Sequence, residues 1–205
     1  RAKIEITGGT FGGTNATGSF QVTGGTSNPG DNIRVIRVNN VDLISSAVAH
    51  TGNNNTTATN IANAINGYTS TSGYTASAST NTVTITAPTF GITYNGYVLA
   101  VEVQQQATVG SITNMSGGID NAVTNITVDG VAIIGSQVEW KTSHSDTASR
   151  IATAINDFGS APEYEATAVG AFVNIIAKES GTSYNSKAVV VTKTGNVTSV
   201  FSPTS

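Results

Sequence analysis

Apolar residues recur at Ala58, Ile61, Ala62 and Ile65, and again ninety positions later at Ala148, Ile151, Ala152 and Ile155. The spacing i, i+3, i+4, i+7 predicts one buried helical face in each stretch. The stretches read Thr57-Ala58-Thr59-Asn60-Ile61-Ala62-Asn63-Ala64-Ile65-Asn66 and Thr147-Ala148-Ser149-Arg150-Ile151-Ala152-Thr153-Ala154-Ile155-Asn156. Each is the one convincing helix in its half of the sequence. Ser145 or Asp146 is placed to cap the second helix. Asn66-Gly67 and Asn156-Asp157 are placed to end the two helices.

Elsewhere the pattern is that of strands. Residues 34–38 read as a strand, Asn39-Asn40 as a two-residue turn, and 41–44 as the return, running on through 48–50. The counterpart of that turn is Asp129-Gly130, flanked by Val128 and Val131. Asp-Gly between apolar residues is a strong hairpin signal, because both turn positions need positive φ. After each helix three more strands are predicted, at 74–78, 83–87 and 97–103, and at 164–168, 172–177 and 187–193. Val83-Thr84-Ile85-Thr86 alternates as a half-buried strand does. Ala188-Val189-Val190-Val191 is apolar throughout, which predicts a strand covered on both faces.

Before the first unit lie two strand-like runs, 2–6 and 19–22, with glycine-rich turns between and after them. This opening segment reads as the tail of a preceding unit and its linker, which predicts a natural chain that extends further towards the N-terminus. Ser116-Gly117-Gly118-Ile119 is read as a second copy of the linker Thr23-Gly24-Gly25-Thr26. The expected fold is α+β and predominantly β, with two tandem units of about five strands and one short helix packed on a sheet. The expected domains are an N-terminal β arm and linker at 1–32, a first unit at 33–115 and a second at 116–205. The arm is expected to complete the sheet of the first unit or of a neighbouring subunit.

Charged residues make up only 10% of the 205 residues, against roughly 25% in an ordinary globular chain. Thr, Ser, Asn and Gly fill the gap. The net charge is −3 and no basic tract is present, so nucleic acid has no electrostatic footprint to bind. No apolar run reaches the roughly 18 residues of a membrane-spanning helix, so no membrane partner is expected. Cysteine is absent, which excludes disulfide frameworks and cysteine-based zinc sites. Such compositions are common among bacterial surface, appendage and virion proteins.

Residues 34–104 align with 124–194 without a gap. The identities include Ile36/Ile126, Val38/Val128, Ile61/Ile151, Asn66/Asn156, Tyr74/Tyr164, Ile85/Ile175, Tyr94/Tyr184 and Asn95/Asn185, and none is ionisable. A duplicated catalytic site keeps at least its acid or base, whereas a duplicated scaffold keeps packing and turns. The expectation is therefore a protein without enzymatic activity or cofactor.

Val128-Asp129-Gly130-Val131, then Asp146-Thr147-Ala148 running to Ala154-Ile155-Asn156, then Tyr164-Glu165-Ala166-Thr167-Ala168, resembles the "IN" motif of flagellins and flagellar hook-associated proteins. Similar repeats occur in tailed-phage virion structural proteins. Residues 126–177 carry the resemblance best and 36–87 carry it again. It implies an outward-facing domain on an assembled filament or particle. The long apolar-periodic terminal helices of flagellins are not seen here, and the tandem spacing with Gly-Gly linkers favours the phage-like group. The expected function is a structural subunit of a phage virion (tail, fibre or capsid surface) that acts by self-assembly, as a homo-oligomer or with other virion subunits. The alternative is an outer domain of a flagellar or adhesive filament on the bacterial surface. A third reading, a surface module that binds a host glycan, needs exposed aromatic side chains.

The candidate interface residues are Trp140, Tyr94 and Tyr184. Trp140, the single tryptophan, either anchors an interface or plugs the space between helix and sheet. Tyr94 and Tyr184 precede the last predicted strand of each unit and are read as contact residues or as rings packed over their own turns. His50 aligns with Trp140, not with His144, so no repeated metal-ligand pair is present. Asp31, Asp120 and Asp129 read as turn and linker residues. Glu163 and Glu165 share one strand face but face Gly73 and Thr75 in the alignment, so a solvated face is expected. The glycine clusters match no phosphate-binding loop.

Overall fold

The computed structural model describes residues 1–203. Strands dominate, in several antiparallel sheets, together with three α-helices among the described residues. The chain divides into two compact units, one formed by residues 14–119 and the other by 1–13 together with 120–205.

In the unit of residues 14–119, one sheet has the strand Gly13–Gly24 between Thr82–Phe90 and Thr108–Ser116, with Thr75–Ser79 paired beyond Thr82–Phe90. The second sheet is built on Asn32–Val38. Leu99–Gln104 lies on one side of it, and the short pieces Val41–Asp42 and Val48–Ala49 lie on the other. Helix α1 (Asn54–Gly67) buries Thr57, Ala58, Ile61, Ala62 and Ile65, and a one-turn helix α2 (Thr69–Ser72) follows it. Phe20, Val22, Ile33, Ile36, Leu43, Ile61, Ile65, Val83 and Ile85 are fully buried together in one core.

The other unit takes its first strand from the start of the chain. Ala2–Gly8 lies between Phe172–Ala177 and Thr198–Pro203, and Tyr164–Val169 pairs with the far side of Phe172–Ala177. Ala122–Val128 carries Val189–Thr194 on one side and Val131–Ala132 and Val138–Glu139 on the other. Helix α3 (His144–Asp157) buries Thr147, Ala148, Ile151, Ala152 and Ile155. Ile4 and Ile6 sit in the same core as Ile126, Ile151 and Val173.

The N-terminal segment therefore does not act as one arm. Residues 13–24 complete a sheet of the unit that follows them, and residues 2–8 complete a sheet of the unit that begins at 120. This differs from boundaries at 33 and 116. The physical reason is that each helix-bearing half lacks a strand between its post-helix hairpin and its last strand. The sequence contained the signal. Ile4-Glu5-Ile6-Thr7-Gly8-Gly9-Thr10 parallels Phe20-Gln21-Val22-Thr23-Gly24-Gly25-Thr26. The true counterpart of the second glycine pair is thus Gly8-Gly9. Gly117-Gly118 has a different job: the Asn95 side chain bonds both the Gly118 N–H and its carbonyl, at 2.8 Å each.

The predicted hairpin turns are present, with positive φ at Asn39, Asn40, Asp129 and Gly130. Three details depart from the expectations. Helix α3 starts earlier than expected and is capped by Ser143, whose Oγ accepts from the Asp146 N–H at 3.0 Å; neither Ser145 nor Asp146 caps it. Val190 is 56% exposed, so the 188–191 run is covered on one face only. The strands Thr108–Ser116 and Thr198–Pro203 escaped the periodicity reading because they are largely polar and small.

The terminal asparagine of each helix has a specific role. Asn66 Nδ2 donates to the Ala76 carbonyl at 2.9 Å and its Oδ1 accepts from the Ala76 N–H at 2.8 Å. Asn156 does the same with Ala166, at 2.9 and 2.7 Å. Ala76 and Ala166 lie on edge strands, so the amide supplies the two bonds that a further strand would otherwise make. Asn66→Ala and Asn156→Ala are each expected to cost about 1–2 kcal/mol in urea denaturation, the net worth of the two bonds. Asn→Asp, which keeps the acceptor but not the donor, is expected not to rescue the loss.

Candidate functional site

Two groups of side chains stand out: a polar latch around Asp31 in one unit and Asn121 in the other, and an aromatic cluster of Tyr74, Tyr94 and Tyr97 in the unit of residues 14–119. The latch was not visible as such in the sequence. Asp31, expected in a linker, is buried. Its Oδ2 accepts from the Thr26 N–H at 2.8 Å and hydroxyl at 2.7 Å, and its Oδ1 accepts from the Gln106 N–H at 3.2 Å. The Thr26 hydroxyl, and then the two amides, hold its carboxyl below the usual carboxylate range against the opposing effect of burial. Asn121 occupies the corresponding place in the other unit. Its Nδ2 donates to the Thr10 carbonyl at 3.0 Å and its Oδ1 accepts from the Asn196 N–H at 3.1 Å. The Asp31 carbonyl accepts from the His50 N–H, and the Asn121 carbonyl from the Trp140 N–H, at 2.7 and 2.8 Å.

These last two bonds place the ring residues. His50 is buried, with Nδ1 accepting from the Gly52 N–H at 3.0 Å and Nε2 lying 3.0 Å from Asn54 Oδ1. Trp140 lies over Gly9 and edge-on to His144, with ring centroids 6.2 Å apart. It is only 9% exposed, so its ring is packed within its own unit and not displayed at a surface. Its Nε1–H has no hydrogen-bond partner among the described residues.

The aromatic cluster of residues 14–119 is closed. Tyr74 is buried and meets Tyr94 edge-on at 5.9 Å, and Tyr94 meets Tyr97 at 5.4 Å. Met115, also buried, donates its N–H to the Tyr97 carbonyl at 2.9 Å and accepts at its own carbonyl from the Gly96 N–H at 2.8 Å. Tyr94 is thus part of the packed wall of its unit.

In the other unit the same region is open. Tyr184 donates to Glu179 at 2.5 Å, and this bond raises its hydroxyl pKa above the ordinary value. Lys187 stands where Tyr97 stands in the first unit. It turns to Asp129 at 2.6 Å, a bond that raises its pKa. A groove of about 550 Å³ remains, lined by Tyr164, Ile175, Tyr184, Lys187, Val189 and Phe201 among others. Of the three candidate interface residues, Tyr184 therefore borders an open groove, while Tyr94 and Trp140 are packed inward.

Comparison with protein families, curated proteins and solved structures returns no match. The site is therefore judged on its own chemistry. Glu163 is exposed and pairs with Lys178 at 3.0 Å, and Glu165 faces solvent. Among the described residues no group of three or more His, Cys, Asp or Glu is placed to hold a metal ion. No helix among them is long and apolar enough to cross a membrane.

Burial pushes the Tyr74 hydroxyl up to about 12, with Tyr94 and Tyr97 adding to the shift. The folded state keeps this proton to higher pH than the unfolded chain, whose tyrosine titrates near 10.0. The stability carried by the neutral phenol is complete below that value and is lost as the pH rises towards about 12. Urea midpoints followed by circular dichroism are expected to fall across this window. Tyr74→Phe, which keeps the ring contacts, is expected to flatten the fall.

Proposed function

We propose that this chain is a non-enzymatic structural subunit of a phage virion, working through self-assembly, and that its two units are copies of one module with one copy inserted into the other. The observation that carries the assembly reading is the outer face of the sheet containing Ala2–Gly8. There Val169, Phe172, Glu5 and Val200 form one row across four strands. Val169 is 65% and Val200 52% exposed, and Lys3 lies over the Phe172 ring at 3.6 Å. The corresponding face of residues 14–119 is made of hydroxyls. Thr75, Thr86, Thr17 and Ser116 form one row, and Ser77, Thr84, Ser19 and Thr113 the next. A surface row with three large apolar side chains, bordered by Glu5 and Lys3, suits contact with another subunit, and an uncharged hydroxyl face suits water. The same scaffold thus offers one adhesive and one solvated face.

The two copies share core, turns and the Asn clamp without sharing an acid or base, which supports a scaffold role. The glycan reading loses its tryptophan, since the Trp140 ring is packed inward.

Negative-stain microscopy and sedimentation of the purified chain test the proposal. Ordered particles or filaments are expected, and Val169→Lys with Val200→Lys is expected to dissolve them without loss of fold. A strict monomer at high concentration counts against it. Capsid, portal and tail genes beside the reading frame support the phage assignment, whereas flanking long amphipathic helices in that frame support a flagellar or adhesive filament.

A further inference from the structure

We infer that the groove between helix α3 and residues 135–139 is a binding site for a small saccharide that carries a carboxylate. The inference does not depend on the phage assignment, because it rests on how this place differs between the two copies. The groove encloses about 670 Å³, within the roughly 300–1,000 Å³ typical of small-molecule sites. One wall is the helix face that carries Arg150, Ala154 and Asp157, and the other is the return segment with Gln137, Val138 and Glu139. The 90-residue alignment puts Ala47, Ala49, Asn60 and Gly67 at the places of Gln137, Glu139, Arg150 and Asp157. The framework is kept, as Val48/Val138 and Ala64/Ala154. Drift on a solvated face scatters new charges, whereas these substitutions come from two separate elements and converge on one groove.

The groups are also set for use. Gln137 Nε2 donates to Asp120 Oδ2 at 2.8 Å, which holds the amide and leaves its Oε1 as an acceptor. The place of Asp120 is taken by Gly30 in the other copy, so this support is specific to the same unit. Lys141 pairs with Glu139 and neutralises it. Among the described residues, Arg150 makes no ion pair or side-chain hydrogen bond, and neither does the Asp157 carboxylate. These two stand seven residues apart on the helix, about 10 Å along its axis. Phe158 closes the Asp157 end. Its ring lies over Gly135, where a Cβ would stand 2.8 Å from Cδ2; Ser45 holds that place in the other copy. A guanidinium at one end takes a carboxylate bidentately. Gln137 Oε1 and Asp157 accept from hydroxyls, and Phe158 with Val138 meets the C–H face of a sugar ring.

Glucuronic acid titrated into the full-length, ¹⁵N-labelled protein tests the inference by NMR. Saturable shifts are expected at the amides of residues 135–139 and 149–158. The neutral methyl ester of the same sugar is expected to bind at least tenfold more weakly. Arg150→Asn, which installs the residue of the other copy at an exposed helix position, is expected to weaken the acid at least tenfold and to leave acid and ester alike. Asp157→Asn is expected to weaken both severalfold. Absence of saturable shifts, shifts centred elsewhere, equal binding of acid and ester, or full binding by the Arg150→Asn protein overturns the inference. Acetate or a Gly-Glu-Gly tripeptide that binds as tightly as glucuronic acid also overturns it, since the site then reads a carboxylate without a sugar.

Discussion

Residues 14–119, expressed alone, are expected to fold with a cooperative thermal transition, whereas residues 120–205 alone are expected to remain unfolded. The first fragment holds a complete core and both flanking strands of Gly13–Gly24. The second lacks Ala2–Gly8, the strand between Phe172–Ala177 and Thr198–Pro203. Its loss removes Ile4 and Ile6, both fully buried. Truncating two such isoleucines costs about 4–10 kcal/mol on the scale of core substitutions, which is as large as the roughly 5–15 kcal/mol that holds a domain together. A synthetic peptide of residues 1–13 added in trans is expected to restore the fold. The Trp140 emission maximum reports this directly, shifting to the blue as the ring is buried over Gly9. Cooperative folding of 120–205 without the peptide would show that the N-terminal strand is dispensable.

The second large effect is at the glycines under the rings. Gly25 has φ +144° and a Cβ there would stand 2.5 Å from His50 Cγ; Gly9 has φ +143° and a Cβ would overlap the Trp140 indole. Gly25→Ala and Gly9→Ala combine backbone strain of about 1–3 kcal/mol with overpacking of about 1–3 kcal/mol. A loss of about 2–6 kcal/mol is therefore expected for each, enough to unfold its unit or to lower its melting temperature by many degrees. Gly25→Ala combined with His50→Ala separates the two terms. The double variant is expected to regain the overpacking part but not the dihedral part, and calorimetry gives the difference. If Gly25→Ala melts like the parent, the ring does not sit over the glycine.

The glycines also mark where the sequence reading stopped short. Gly8-Gly9 and Gly24-Gly25 are equivalent because each passes beneath a ring that arrives from a distant return strand. Nothing within a local window tells such a pair from Gly117-Gly118, which is gripped by Asn95. Asp31 shows the same limit. Its neighbours Asn28, Pro29 and Gly30 read as a turn, and its hydrogen bond to Gln106 joins positions 75 residues apart. The strand Thr108–Ser116 was missed because the ladder on Gly13–Gly24, and not its own side chains, makes it a strand.

The sequence alone determined the two long helices, their buried faces, their terminal asparagines, the two hairpin turns and most of the strands, but not the short helix Thr69–Ser72. Each of these depends on contacts within a few residues, where period, turn chemistry and propensity act directly. Only the tertiary structure decided which strand completes which sheet, that Trp140 packs inward, and that Tyr184 borders a groove while Tyr94 closes one. These outcomes depend on loop closure over a hundred residues and on the fit of one side chain, Met115 in one unit and Lys187 in the other, and no local pattern encodes them.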